Sequence, residues 1–223
     1  SKKYSPLISK RPKKFFKYGT DWKKHLLERA KKLNYFKKLV HHDNNDIPLP
    51  FEDQYFDFIH SNSLYWTNNP NKLISDINRI AKRDSYVVLE YSTTGMLSTL
   101  YKMRPILDKR SFDILNRKRT DEMKGVKGDV NFWIDIIKKN NFVIEDLRAA
   151  WPNQILTDFW NIGLRPVSHL LIEMTKKLKK EDKISIKKEW VKIFYDILLP
   201  LCTKPKPFKP KEASYVTFIL RKK

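Results

Sequence analysis

The sequence predicts an α/β fold, a mostly parallel sheet with packed helices and a helical cap. Three observations predict it. Residues 41–91 run through a strand end, an acidic loop, a strand, an amphipathic helix and a second strand, which is a βαβ unit. Residues 130–149 add a helix followed by a strand. Residues 155–201 read as helical, and a last strand follows at Ser214–Leu220.

Taken in order, residues 1–13 (SKKYSPLISKRPK) are basic and proline-punctuated, as expected of an extended leader. Lys14–Gly19 is short and aromatic, consistent with a strand. A helix is expected from Asp21, with Trp22, Leu26, Leu27, Ala30 and Leu33 sharing a face. Phe36–Asp43 is the next strand. His41 and His42 alternate across it, so they cannot jointly ligate a metal. Pro48 and Pro50 fix an extended lead-in to the strand Tyr55–His60.

The helix that follows places Leu73, Ile74, Ile77 and Ile80 on one stripe of period 3.6. Arg83-Asp84-Ser85 makes the turn into a strand at Tyr86–Tyr91, which Ser92–Gly95 breaks. Met96–Arg119 is a helical insertion, and Val130–Lys139 and Phe142–Ala149 form the next helix-strand pair. Farther on, Leu170, Leu171, Met174 and Leu178 make one apolar stripe. Ile186, Trp190, Ile193, Phe194 and Ile197 make another, and both are expected in the core. Thr203–Lys211 (TKPKPFKPK) is a Pro/Lys linker. The expected organisation is a core over 1–150 with 96–128 inserted, a cap over 151–211, and a final core strand over 212–223.

Composition narrows the function. At 41% hydrophobic residues, the 223-residue chain can bury one domain's core and is not disordered. No apolar run approaches the roughly 20 residues of a membrane span. The lone Cys202 excludes an internal disulfide framework and a cysteine-based zinc site, and makes a reducing, cytoplasmic setting the default expectation. The net charge of +21 reflects either a coding bias toward Lys or an electrostatic footprint for RNA, DNA or an anionic membrane. Lys far outnumbers Arg and is spread along the chain, which favours the first reading. No G-x-G-x-x-G and no metal-ligand spacing is present, which argues against a nicotinamide dehydrogenase and a metal hydrolase.

The run Asp43, Leu49-Pro50-Phe51, Asp53, Phe56-Asp57, then Asn78-Arg79-Ile80 and an apolar strand, resembles the class I S-adenosylmethionine-dependent methyltransferases, type 11. Gly19-Thr20-Asp21-Trp22 and Leu27-Glu28-Arg29-Ala30 extend the likeness, which covers about residues 15–91. The resemblance implies a Rossmann-like, mostly parallel sheet with an antiparallel last strand, and S-adenosylmethionine as cofactor. Ligands of such sheets sit beyond the carboxyl ends of the strands. There Asp21, beside Trp22, takes the position that accepts both ribose hydroxyls, a task suited to one ionised bidentate acceptor. Asp43 and Asn44 take the adenine position, and Ser61 and Asn62 the methionine end. The plainer alternatives are an N-cap for Asp21 and a turn-initiating Asp43. Tyr65 and Trp66 either wall the transfer site, where they attract a sulfonium or amine, or pack as a lid. His60 is a candidate base or a structural, hydrogen-bonded histidine.

The family's first strand ends in a glycine-rich loop. The five glycines, Gly19, Gly95, Gly125, Gly128 and Gly163, form no such loop. Three readings stand: a stretch absent from this sequence, a degenerate loop at Gly19-Thr20-Asp21 after a first strand at Phe15–Gly19, or a fold kept without cofactor binding. The implied activity is methyl transfer to a small or medium organic acceptor, near cap residues such as Trp151 and Trp160. In-line transfer asks mainly for alignment and a dry pocket. The alternatives are a non-catalytic RNA-binding or scaffold subunit, and an RNA methyltransferase.

Overall fold

Asn69 begins the best-defined helix because its side chain accepts the Lys72 backbone N–H at 3.0 Å and Pro70 occupies the first turn. That helix, Pro70–Ile80 (α2), buries the whole predicted stripe of Leu73, Ile74, Ile77 and Ile80. In the computed structural model, which describes residues 15–116, 119–151, 154–203 and 209–223, α2 links strand Phe56–Ser61 (β3) to strand Ala81–Ser92 (β4). β3 and β4 pair in parallel. The leader 1–13 and much of the Pro/Lys linker lie outside the described residues.

Upstream, strands Phe16–Asp21 (β1) and Phe36–His41 (β2) pair in parallel around helix Lys24–Leu33 (α1). Downstream come helices Ser98–Met103 (α3), Lys109–Asn116 (α4), Arg119–Glu122 (α5) and Val130–Lys139 (α6), then strand Phe142–Trp151 (β5). Helices Gln154–Asp158 (α7) and Arg165–Met174 (α8) flank a π-helical turn, and Lys180–Thr203 (α9) precedes strand Tyr215–Lys222 (β6). The four-stranded sheet has the order β3-β4-β6-β5, with β6 antiparallel to both neighbours. The antiparallel last strand is as expected, but β1 and β2 form a separate two-stranded sheet.

One face of the larger sheet carries the core. Val87, Leu89 and Tyr91 of β4 and Val216, Phe218 and Leu220 of β6 are fully buried against α2 and against Val130, Trp133 and Ile137 of α6. The rings of Tyr91 and Trp133 lie 4.3 Å apart. A second cluster joins Met96, Leu97, Leu100 and Met123 to Trp160, so the insertion packs against the later helices.

Several expectations need correcting. β1 runs two residues farther than Gly19, so Asp21 ends a strand; the N-cap of α1 is Lys23. β4 begins directly after α2, and Asp84 at φ 60° bends it where a separate turn was expected. The two late helical stripes are not core: Leu170, Met174, Ile193 and Ile197 are exposed. Trp190 packs on Phe194, which reaches Phe159, and Leu171 and Ile186 are half-buried, but none of the nine stripe residues is fully buried. Periodicity marks a face able to be buried, and only a packed neighbour buries it.

Candidate active site

The carboxyl ends of β1, β2 and β3 meet at a crevice of about 400 Å³. Asp21, Trp22, Asp43, Asn44, Asn62, Tyr65 and Trp66 all line it. Asp21 closes β1, and its Oδ1 accepts the Lys23 backbone N–H at 2.7 Å. Asp43 opens the turn after β2, and its Oδ1 accepts the Asn45 backbone N–H at 2.9 Å. Among the described residues no hydrogen bond engages the Oδ2 of either carboxylate. Each therefore keeps an acceptor oxygen for a ligand.

Polar bonds hold the crevice together. Asn44 Nδ2 donates to Ser63 Oγ at 3.2 Å. Asn45 Oδ1 accepts the Asn68 backbone N–H at 2.7 Å. These contacts stitch the turn after β2 to the loop after β3. Lys23 Nζ stands 5.0 Å from the Trp22 ring and 5.9 Å from the Trp66 ring, and so spans the mouth as a cation between two aromatic faces. Gly125 presses on the far side of this loop, where a Cβ would come within 3.1 Å of the Tyr65 carbonyl oxygen.

Two candidates lie elsewhere. Ser61 ends β3 in the adjoining cleft between β1 and β3. His60 lines that cleft as well, with its Nε2 3.3 Å from Glu90 Oε2 at an exposed position outside the crevice. A pendant base for the crevice is therefore not supplied by His60. Lys23 and Asn45 carry no motif in the sequence, and His42 enters there only as a residue that cannot share a metal with His41. His42 lines the crevice with Nε2 buried and without a hydrogen-bond partner among the described residues, while His41 Nε2 bonds the Trp22 carbonyl at 2.8 Å. The strand alternation that separated the two histidines was the available signal.

The Leu49-Pro50-Phe51 motif acts below the crevice rather than in it. Arg79 Nε donates to Asp76 Oδ1 at 2.6 Å, Nη1 to the Phe51 carbonyl at 2.8 Å and to Asp53 Oδ1 at 2.7 Å, and Nη2 to the Leu49 carbonyl at 3.0 Å. Asp76 Oδ2 in turn accepts the Leu49 backbone N–H at 2.6 Å. Asp76 first, and Asp53 second, raise the Arg79 pKa still further above its ordinary value. The spaced motif residues thus form one clamp that fixes the loop leading into β3.

Residues 6–89 match the family model of the methyltransferase domain. That match covers well under half of the chain and makes this segment similar to a methyltransferase domain. Its fold is similar to that of an S-adenosylmethionine-dependent methyltransferase from Thermotoga maritima, with 14% identity, TM-score 0.52, and coverage of 93% of this chain and 73% of that one. Phosphoethanolamine N-methyltransferase 2 of Haemonchus contortus, solved with S-adenosylmethionine, gives 17% identity and TM-score 0.50 over 92% of this chain and 43% of its own. The cyclase SpnF gives 11% and 0.52 over 93% and 66%. At these identities the likeness is one of fold, and a cyclase among the neighbours illustrates that fold alone does not name a reaction. This chain spans between 43% and 73% of the three solved chains' lengths. No curated protein sequence matches.

S-adenosylmethionine is the family's cofactor. The residues present fit its adenosyl half: two carboxylates with a spare oxygen each, side-chain amides, and aromatic faces. The methionine half has less. Gly19 lies inside β1, where a Cβ would meet the Phe36 ring at 2.8 Å, so it serves strand packing and is not a degenerate cofactor loop. None of the other four glycines lines the crevice.

Proposed function

We propose that the chain binds S-adenosylmethionine in the crevice at the ends of β1–β3 and acts as a methyltransferase on a small or medium organic acceptor. The observation that carries this reading is the convergence of Asp21 and Asp43, each with an uncommitted oxygen, on one crevice edged by Trp22, Tyr65 and Trp66. When bound, the cofactor supplies an activated methyl group on a sulfonium. Asp21 accepts from ribose hydroxyls, Asp43 and Asn44 meet the adenine edge, and Asn62 lies toward the methionine end. The Tyr65 and Trp66 faces attract a cationic centre and exclude water at the mouth. No side chain in the crevice need remove a proton if the acceptor is already a nucleophile.

The smaller acceptor is favoured by the insertion at Met96–Met123 and the later helices, which pack together beside this end of the sheet. Calorimetric titration with S-adenosylmethionine tests the reading. Asp21→Ala is expected to weaken binding by about 10- to 100-fold, the loss of one or two charge-assisted hydrogen bonds, while Asp57→Ala, whose exposed carboxylate pairs with Lys82 at 2.7 Å, leaves it unchanged. Equal affinity of the Asp21→Ala variant and the parent chain would refute it. A scaffold role in an RNA-protein assembly is the second reading, motivated by the +21 charge and the sparse methionine-side contacts. It predicts RNA binding that falls steeply with salt.

A further inference from the structure

Exposed apolar side chains gather where α8 turns into α9. Leu170 and Met174, one turn apart on α8, are 51% and 70% exposed. Ile172 between them is 61% exposed, and Leu178 in the link is 40% exposed. The link is itself an ordered turn. The Lys176 N–H donates to the Glu173 carbonyl at 3.2 Å and the Leu178 N–H to the Thr175 carbonyl at 3.1 Å. Thr175 Oγ1 donates to the Leu171 carbonyl at 2.7 Å. Lys183 Nζ donates to the Lys176 carbonyl at 2.8 Å and ties the first turn of α9 to the end of α8. Local structure therefore holds these apolar side chains out in water, where a clustered patch marks an interaction surface.

The same tip is basic. Residues 173–192 carry eight lysines and four carboxylates, a net charge of +4. Lys176 lies 3.6 Å from Glu173. Lys177, Lys179 and Lys180 are exposed and pair with no carboxylate among the described residues. Glu181 and Asp182 lie in the first turn of α9, where the helix dipole favours them. No helix of the described residues is long and apolar enough to cross a membrane, so apolar and basic groups together match a membrane surface and not a span.

We propose that the tip of the α8–α9 hairpin docks on an anionic phospholipid surface. Met174 and Leu178 enter the boundary between headgroups and acyl chains, and Lys177, Lys179 and Lys180 meet the lipid phosphates and carboxylates. Charge and shape choose this occupant over three others. Two copies of the tip would set one lysine cluster against another, which opposes self-association. A nucleic acid is met best by arginine and by aromatic rings. Residues 170–180 (LLIEMTKKLKK) have neither and offer four exposed apolar side chains instead. A bound peptide needs a groove, whereas these side chains stand on a helix end and a turn. A bilayer interface takes both kinds of group: apolar side chains sink about 5–10 Å, while lysine stems lie along the boundary and keep their ammonium groups among the headgroups. This docking is independent of whether the chain moves a methyl group.

Vesicle co-sedimentation with the 223-residue chain tests it, using phosphatidylcholine alone and phosphatidylcholine with about 30% phosphatidylserine. Binding is expected to the anionic vesicles only. Changing Lys177→Gln, Lys179→Gln and Lys180→Gln together is expected to weaken it about 100-fold, at roughly fivefold per lysine. The same change at Lys31, Lys32 and Lys37, exposed lysines of α1 and β2, is expected to weaken it less than about threefold. Met174→Ser with Leu178→Ser is expected to weaken it about tenfold with an unchanged circular dichroism spectrum. Equal binding to both vesicle types, binding to neither, equal losses from the two lysine triples, or full binding by the Met174→Ser/Leu178→Ser variant would each overturn the proposal. So would a chain that ignores the vesicles and instead retains polyuridylate RNA through the same three lysines.

Discussion

Replacing Arg79 by Met keeps most of the aliphatic stem and removes the guanidinium from the clamp below the crevice. Its two bonds to Asp76, at 2.6 and 3.1 Å, matter most, because the Asp76 side chain is only 8% exposed and would be left with the Leu49 N–H alone. Removing one partner of a buried pair costs about 3–5 kcal/mol. The Arg79 side chain is 27% exposed, so the lower end applies. The bond to Asp53 adds less than about 1 kcal/mol, since that carboxylate is 73% exposed. The expected loss is about 3 kcal/mol, or about 6–12 °C in Tm at 2–4 °C per kcal/mol for a chain of this size. Urea unfolding followed by circular dichroism measures it. A double-mutant cycle with Asp76→Asn is expected to show coupling of about 2 kcal/mol, whereas Asp53→Ala alone costs under about 1 kcal/mol. An Arg79→Met variant within about 0.5 kcal/mol of the parent, or an Asp53→Ala variant as damaged as Arg79→Met, would show that the clamp does not hold the loop.

Gly95→Ala is expected to destabilise by about 1–3 kcal/mol, because the added Cβ would meet the Ala213 carbonyl oxygen at 2.9 Å and neither backbone can yield cheaply; thermal unfolding reads this directly. Tyr91 Oη is buried without a hydrogen-bond partner among the described residues, so Tyr91→Phe is expected to be neutral or to stabilise by up to about 1 kcal/mol. Burial also raises the Tyr91 pKa well above its ordinary value. Above about pH 10 the unfolded phenol loses its proton while the folded one keeps it, so stability falls as pH rises. That fall should be shallower in Tyr91→Phe, by up to about 1.4 kcal/mol per pH unit, in urea titrations at pH 9 to 11. His60→Ala should change cofactor affinity less than about twofold, because His60 faces Glu90 outside the crevice; a tenfold loss by calorimetry would return it to the site.

What could be read without coordinates was local in origin. The α2 stripe and its Asn69–Pro70 start depend on residues within a few turns of one another, and all four stripe positions proved buried. The acidic and aromatic rim came mainly from the family resemblance, and Asp21, Asp43, Asn44, Asn62, Tyr65 and Trp66 reach one crevice although 45 positions separate the first from the last. The clamp that joins Leu49-Pro50-Phe51 to Arg79 had its members visible as a spaced motif, but the bonds among them depend on how the loop folds back over α2. Exposure of Leu170, Met174, Ile193 and Ile197, the turning of His60 toward Glu90, and the separation of β1 and β2 from the larger sheet are all non-local. An apolar stripe or a strand edge specifies a demand for a partner. Whether the demand is met depends on which segments the chain brings beside it, and only the tertiary structure decides that.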